Sequence, residues 1–179
     1  MKNIIKKIIK EVYPYIVIII SVALIRTFIV APVLVSGDSM KPNLNNLEML
    51  LIRKIGYNSS AIDRFDIVVI KTINEEGKKE EIIKRIIGLP GEHIYYKKNK
   101  LYVNDKLVEE PYIFRDTMDF NLEEICTCDI IPEGKYLVLG DNRPISKDSR
   151  TIGLIDEKDI VGKASIRIWP FTKIGSIYE

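Results

Sequence analysis

Apolar residues are distributed along this chain in two different ways. Up to Val12, Ile4, Ile5, Ile8, Ile9 and Val12 recur at helical spacing, and at about 100° per residue they gather on one side. Lys2, Lys6, Lys7 and Lys10 fill the other side, which predicts an interfacial amphipathic segment over 1–12 with its lysines at the headgroups. From Tyr13 to Ile25 there is no charge, a run of roughly 20 Å against a typical hydrocarbon core of about 30 Å. Continuation through Thr27, Phe28, Ile29 and Val30 closes most of that gap. The pattern therefore predicts a single membrane anchor over 13–31, with Arg26 snorkelling outward. Pro14 predicts a kink or a fresh helix start, and the lysine bias puts the N-terminus on the cytoplasmic side. A cleavable secretory signal is the competing pattern, but Arg26 directly after the run and Pro32 near the exit do not make a small-x-small cleavage site. A buried helix of a soluble core fits poorly with the lysine-rich lead-in.

After Val35 the period shortens. Residues 65–70, 81–87, 94–96, 101–103, 136–139 and 160–169 are short β-type runs. Asn104-Asp105 is a two-residue hairpin turn, and residues 74–79 form a polar loop tip. No long helical periodicity follows the anchor. Residues 32–179 are thus predicted to be one mainly β, antiparallel domain, a folded sheet or barrel outside the cytoplasm.

Composition narrows the function. A length of 179 residues supports one domain plus an appendage, and 46% hydrophobic residues supply a core. With 29% charged residues the chain is no polytopic membrane protein, and a net charge of +2 gives no footprint for nucleic acid. Cys126 and Cys128 are one residue apart; a disulfide across that spacing is strained and two thiols make a poor zinc site, so ordinary loop thiols and no metal are expected.

Three segments carry candidate chemistry. Ser39 lies in Val33-Leu34-Val35-Ser36-Gly37-Asp38-Ser39-Met40-Lys41-Pro42, on a turn just past the anchor. Turn serines commonly bond only their neighbouring backbone, but Val33, Val35 and Met40 make an apolar slot beside this one. Lys84 interrupts Ile82-Ile83-Lys84-Arg85-Ile86-Ile87, where both faces are rich in isoleucine, as in a doubly covered central strand. Burial there disfavours the ammonium. A pKa near 7 needs a fall of about 3 pH units from the reference value, roughly 4 kcal/mol, and would leave an amine able to take a proton from a serine hydroxyl. The other reading is an edge-strand lysine that snorkels to solvent, and the pattern leaves both open. The third segment, 140–150, is dense in Asp, Asn, Ser and Arg: a plain surface loop or a hydrogen-bond scaffold for a base. His93, the one histidine, is expected to be an ordinary half-exposed side chain after a Pro-Gly turn.

Together these segments resemble the type I signal peptidases of the bacterial, Gram-positive-like branch, membrane-bound Ser-Lys proteases that remove signal peptides from exported proteins. Gly-Asp-Ser-Met-Lys-Pro-Asn at 37–43 looks like their nucleophile motif and Lys-Arg-Ile-Ile-Gly-Leu-Pro-Gly-Glu at 84–92 like their general-base motif. Gly-Asp-Asn-Arg at 140–143, with Ser146, Asp148, Ser149, Arg150 and Gly153, looks like the remaining signature. The resemblance implies Ser39 as nucleophile and Lys84 as base, Ser146 supporting the lysine amine, Asp148 paired with Arg150, and Gly140 leaving room beside the lysine. It implies substrate pockets lined by Val33, Val35, Met40, Leu44, Ile82 and Ile83, with Gly37 beside the site, cleavage after small-x-small (Ala-x-Ala) sequences, and no metal or organic cofactor. The implied partners are preproteins bearing signal peptides and membrane lipid. Two departures stand out: Gly37 replaces a serine that helps the oxyanion hole in some members, and Pro144-Ile145 replaces an Asp-Asn often found in the last motif. A membrane-tethered β binding module without catalysis, or a Ser-Lys peptidase dedicated to pilin or conjugation substrates, are the competing readings.

Overall fold

The computed structural model describes residues 2–54, 56–57, 61–113 and 116–178, with side chains from Lys10 onward. The lysine–isoleucine pattern of residues 2–9 lies outside the described side chains. Helix α1 (Lys2–Leu24) passes through Pro14 without interruption, so this proline neither ends nor restarts it. A π-type turn, Ile25–Ile29, follows and leads straight into strand β1 (Val30–Leu34). Val30 and Ala31, expected to close the anchor, open the sheet instead. The stretch Lys10–Ile29 has a mean hydropathy of 2.1, none of it is buried, and it is long and apolar enough to cross a membrane.

The remaining elements are β2 (Met49–Arg53), β3 (Ile67–Ile73), β4 (Lys79–Gly88), β5 (Ile94–Lys97), β6 (Lys100–Val103), β7 (Lys106–Val108), β8 (Phe120–Asn121), β9 (Lys135–Leu139), α2 (Ser149–Ile152), β10 (Ile155–Asp156), β11 (Ile160–Trp169) and β12 (Gly175–Ser176). Among the described residues they form two antiparallel sheets, one ordered β1-β2-β11-β3-β4-β9-β10 with β12 on β11, the other β7-β6-β5-β8. The mainly β, antiparallel architecture expected from the short β-type runs is present. Two hairpins turn on paired residues of positive φ: Asn104 and Asp105 (48° and 63°), as expected, and Lys98 and Asn99 (51° and 63°), which the sequence reading passed over.

Strand β4 is central, between β3 and β9, with Lys84 opposite Val68 and Ile67 opposite Arg85. Its alternation divides the core. Ile83 joins Val35, Met40, Leu44, Leu50 and Ile52 in one cluster, with Val33 packed against it. Ile86 sits with Val68, Ile70 and Val138, with Ile82 packed against them. The second sheet has its own core of Ile94, Tyr96, Leu101 and Phe120, shared with Ile87 and Leu137. Where the β3–β11 register ends, the Tyr178 hydroxyl accepts from Ile67 N at 2.8 Å and donates to Ala164 O at 2.9 Å, bridging the two strands.

The cysteines are not loop thiols. Cys126 and Cys128 form a disulfide, with Cα atoms 5.3 Å apart and inside the normal range for that bond. A capping box at Asn121 and Glu124 starts a short 3-10 turn. The chain then curls so tightly that Cys128 N donates to Cys126 O at 2.7 Å, a reversal that spacing alone does not reveal.

Candidate active site

The residues after β1 are held from below and from the side. Val35, Met40 and Leu44 are buried in the first core cluster and act as pegs for the turn between them. Gly37 adopts φ +87°, a conformation that favours glycine, and its N–H donates to Asn46 Oδ1 at 2.9 Å. Asn142 then clasps the turn from the opposite loop: its N–H donates to Ser39 O at 2.9 Å and its Nδ2 to Asp38 O at 3.1 Å. Ser39 is thereby presented half-buried, on a short constrained loop between pegs and clasp.

Lys84 reaches this turn from β4. Its Nζ lies 2.8 Å from Ser39 Oγ and 3.1 Å from Ile83 O, both neutral oxygens. The side chain is buried, and among the described residues it makes no ion pair. Burial lowers its pKa from the ordinary 10.5 to about 8; Asp148, Asp141 and Glu80 act in the opposite direction from farther away. The amine is therefore easier to neutralise than an exposed lysine.

The neighbouring Arg85 has the opposite surroundings. It makes a two-pronged ion pair with Asp141, Nε to Oδ1 at 2.8 Å and Nη2 to Oδ2 at 2.6 Å. Asn43 Nδ2 donates to the same carboxylate at 2.8 Å. One buried acid thus ties the base strand, the serine loop and the 140–150 loop together. Arg85, Asp141, Asn43 and Asn142 received no role from the sequence reading, although all four lie inside the quoted motifs.

Asp148 is fully buried and accepts from Gly140 N at 3.0 Å and from Arg150 Nε and Nη2, each at 2.9 Å. It also accepts from Arg150 N at the start of α2. Ser149 Oγ accepts from Val138 N at 2.9 Å. Ser146 departs from expectation. Its hydroxyl is buried and hydrogen-bonds neither Lys84 nor any other described residue. At Gly140 a Cβ would lie 2.1 Å from Ser146 Oγ and 2.6 Å from Ser39 O. The missing side chain makes room for Ser146 and the serine carbonyl, rather than beside the amine.

Ile82 is a second departure. Val33, Val35, Met40, Leu44 and Ile83 share one cluster, while Ile82 packs into the cluster of Val68 and Ile86. His93 is held at the second sheet, with its N–H bonded to Asn104 Oδ1 and its ring 5.4 Å from Tyr95. It makes no described hydrogen bond to Ser39 or Lys84.

Residues 5–169 match the family described as signal peptidase, peptidase S26. Signal peptidase IB of Staphylococcus aureus is 40% identical over 163 residues, covering 84% of this chain and 83% of that protein. Signal peptidase I of Bacillus caldolyticus is 42% identical over 168 residues, covering 89% and 90%. The chain belongs to the signal peptidase family, peptidase S26. A crystal structure of a signal peptidase I from Enterococcus faecalis V583 agrees with this fold at a TM-score of 0.50 and 36% identity, over 57% of this chain and 95% of that one. Membership of this serine peptidase family makes the chain a protease, and the non-catalytic binding module falls away.

Proposed function

We propose that this signal peptidase removes N-terminal signal peptides from exported preproteins after small-x-small sites, with Ser39 as nucleophile and Lys84 as general base. The 2.8 Å contact between Ser39 Oγ and a buried lysine amine without a carboxylate partner carries the reading. With a pKa of about 8, about a tenth of the amines are neutral at pH 7. A substrate strand laid over Ser39 removes residual hydration and raises that fraction.

The neutral amine takes the Ser39 proton as Oγ attacks the scissile carbonyl, and returns it to the leaving amine as the bond breaks. Water, deprotonated by the same lysine, then releases the acyl group. The Ser39 N–H, without a described partner, stabilises the oxyanion. Val33, Val35, Met40, Leu44 and Ile83 form the apolar wall against which small side chains rest, while Ile82 packs into the neighbouring cluster of Val68 and Ile86. Asp141, Asp148 and Asn142 position the two loops. The helix Lys10–Ile29 anchors the enzyme, with residues beyond Val35 outside the cytoplasm; protection of those residues from protease added to intact spheroplasts would reverse this orientation.

The direct test incubates detergent-solubilised protein with a preprotein bearing an Ala-x-Ala site. Cleavage there by the wild type and none by Ser39→Ala supports the reading. Equal cleavage by both would overturn it.

A further inference from the structure

The bonds from Asn142 and Asp141 hold the serine loop on the side of the 140–150 loop. On the opposite side it rests on β11. Arg167 of that strand lies opposite Leu50 of β2, which is fully buried in the first core cluster. Residues directly opposite each other on paired strands share a face, so a guanidinium leaves β11 on the side of the core. The β11–β2 register shifts just beyond it, between Arg167 and Trp169, an irregularity of the kind that re-aims a side chain.

A charge on that side of the sheet is costly unless it is met. Arg167 is met by the serine loop: its Nε donates to Glu48 Oε2 at 2.8 Å and its Nη2 to Asn43 O at 2.9 Å. The Arg167 side chain is 14% exposed and that of Glu48 4%. Asn45 Nδ2 donates to the other Glu48 oxygen at 3.0 Å. Asn43 is thus gripped twice, through its carbonyl by Arg167 and through its Nδ2 by Asp141, at 2.8 Å. A polar rail results, Arg85–Asp141–Asn43–Arg167–Glu48. It begins beside Lys84 and crosses the serine loop four residues after Ser39, where Leu44 N donates back to Met40 O at 2.9 Å. A buried ion pair gives little net stability over an apolar pair of the same size, because desolvation offsets the attraction. What this pair supplies is a fixed place for the loop.

We propose that Arg167, with Glu48 as its counter-ion, is a positioning residue for the reaction. Resting on the Ser39–Lys84 reading, it holds the far side of the serine loop so that Ser39 Oγ stays within reach of the Lys84 amine. Both residues lie outside the three motif segments of the sequence, and neither touches the reacting atoms. A displacement of about 1 Å at a reacting group can cost on the order of 100-fold in rate.

The test measures kcat and KM of the detergent-solubilised full chain on a preprotein with an Ala-x-Ala site, beside urea unfolding. Arg167→Met alone strands Glu48 and should lower both stability and kcat. Arg167→Met/Glu48→Leu removes the pair together and separates the two effects. Its urea midpoint should equal or exceed that of wild type, while kcat falls about 10- to 100-fold and KM stays within about three-fold. A stable double variant with kcat within about three-fold of wild type overturns the proposal, and so does one whose loss lies in KM alone. If the double variant does not fold, Arg167→Lys decides, because it keeps a charge for Glu48 without the planar fork that also serves Asn43 O. A folded lysine variant with kcat lowered more than about three-fold supports the role, and a smaller change overturns it. Cleavage by Ser39→Ala equal to that of wild type would instead remove the dyad on which the proposal rests.

Discussion

Two buried cations separate the seam between the sheets from the Ser39 corner of the larger one. At the seam, the Arg143 side chain is 1% exposed and is met on every side. Its Nη2 donates to Glu110 Oε1 at 2.6 Å, its Nη1 to Thr117 Oγ1 at 2.6 Å and to the Tyr96 hydroxyl at 3.0 Å, and its Nε to Gly140 O. Burial works against its charge, but Tyr96 and Glu110 outweigh this and hold its pKa above the ordinary arginine value. At the Ser39 corner, Lys84 is about as deeply buried but meets only a hydroxyl and a carbonyl, and its pKa falls to about 8. Partnering makes a buried cation a fastener; withholding the partner makes it a base. The fold does both within one loop, since Arg143 and the Asn142 that clasps Ser39 are consecutive.

The comparison breaks most sharply if the corner tolerates a permanent charge. Lys84→Arg keeps the charge but cannot lose its proton in the working pH range. It should lower kcat on a preprotein by about 10⁴-fold or more, as loss of a general base does. An arginine enzyme of near wild-type kcat removes Lys84 from the chemistry. At the seam, Glu110→Ala strands a buried guanidinium. Urea unfolding should show a loss of about 3–5 kcal/mol, and a loss under 1 kcal/mol would mean that water or another group already serves Arg143.

Lys84→Met tests the same idea from the stability side. The fall from 10.5 to about 8 corresponds to about 3 kcal/mol of disfavoured charging in the folded state. The unfolded chain binds the proton more tightly, so this penalty is complete below pH 8 and fades as pH rises towards 10.5. The methionine variant should be inactive yet more stable than wild type at pH 7, with the gap shrinking between pH 8 and 10.5. A gap that is constant with pH would assign the difference to packing. Smaller in scale, log(kcat/KM) for the wild type should fall with unit slope below about pH 8 and level off above it. A profile flat from pH 6 to 9 contradicts a titrating lysine. The smallest effect belongs to His93→Ala, which should change kcat by less than about three-fold; a folded variant with kcat lowered by orders of magnitude would point to histidine as the base.

Local periodicity made much of the fold legible. The 3.6-residue repeat and the long uncharged run marked α1, and short continuous apolar runs of β-type residues marked β3, β4, β9 and β11, because a strand covered on both faces is apolar throughout its buried length. Strand alternation separates Ile82 from Ile83, since neighbours on a strand point to opposite faces. Isoleucines on both faces of β4 left a buried Lys84 and a snorkelling edge-strand Lys84 equally open, and the place of β4 between β3 and β9 decided for burial. What local pattern cannot contain is a meeting of distant residues. Ser39 and Lys84 are 45 positions apart, and Asn43 and Asp141 are 98 apart. Their contacts, the orientation of the Ser146 hydroxyl and the closing of the Cys126–Cys128 ring depend on how whole strands and loops are placed. The pKa of Lys84 was legible in direction and not in size. Burial can be read from one strand, and so can the nearby Glu80, but the opposing pull of Asp148 and Asp141 exists only once the 140–150 loop is folded against β4.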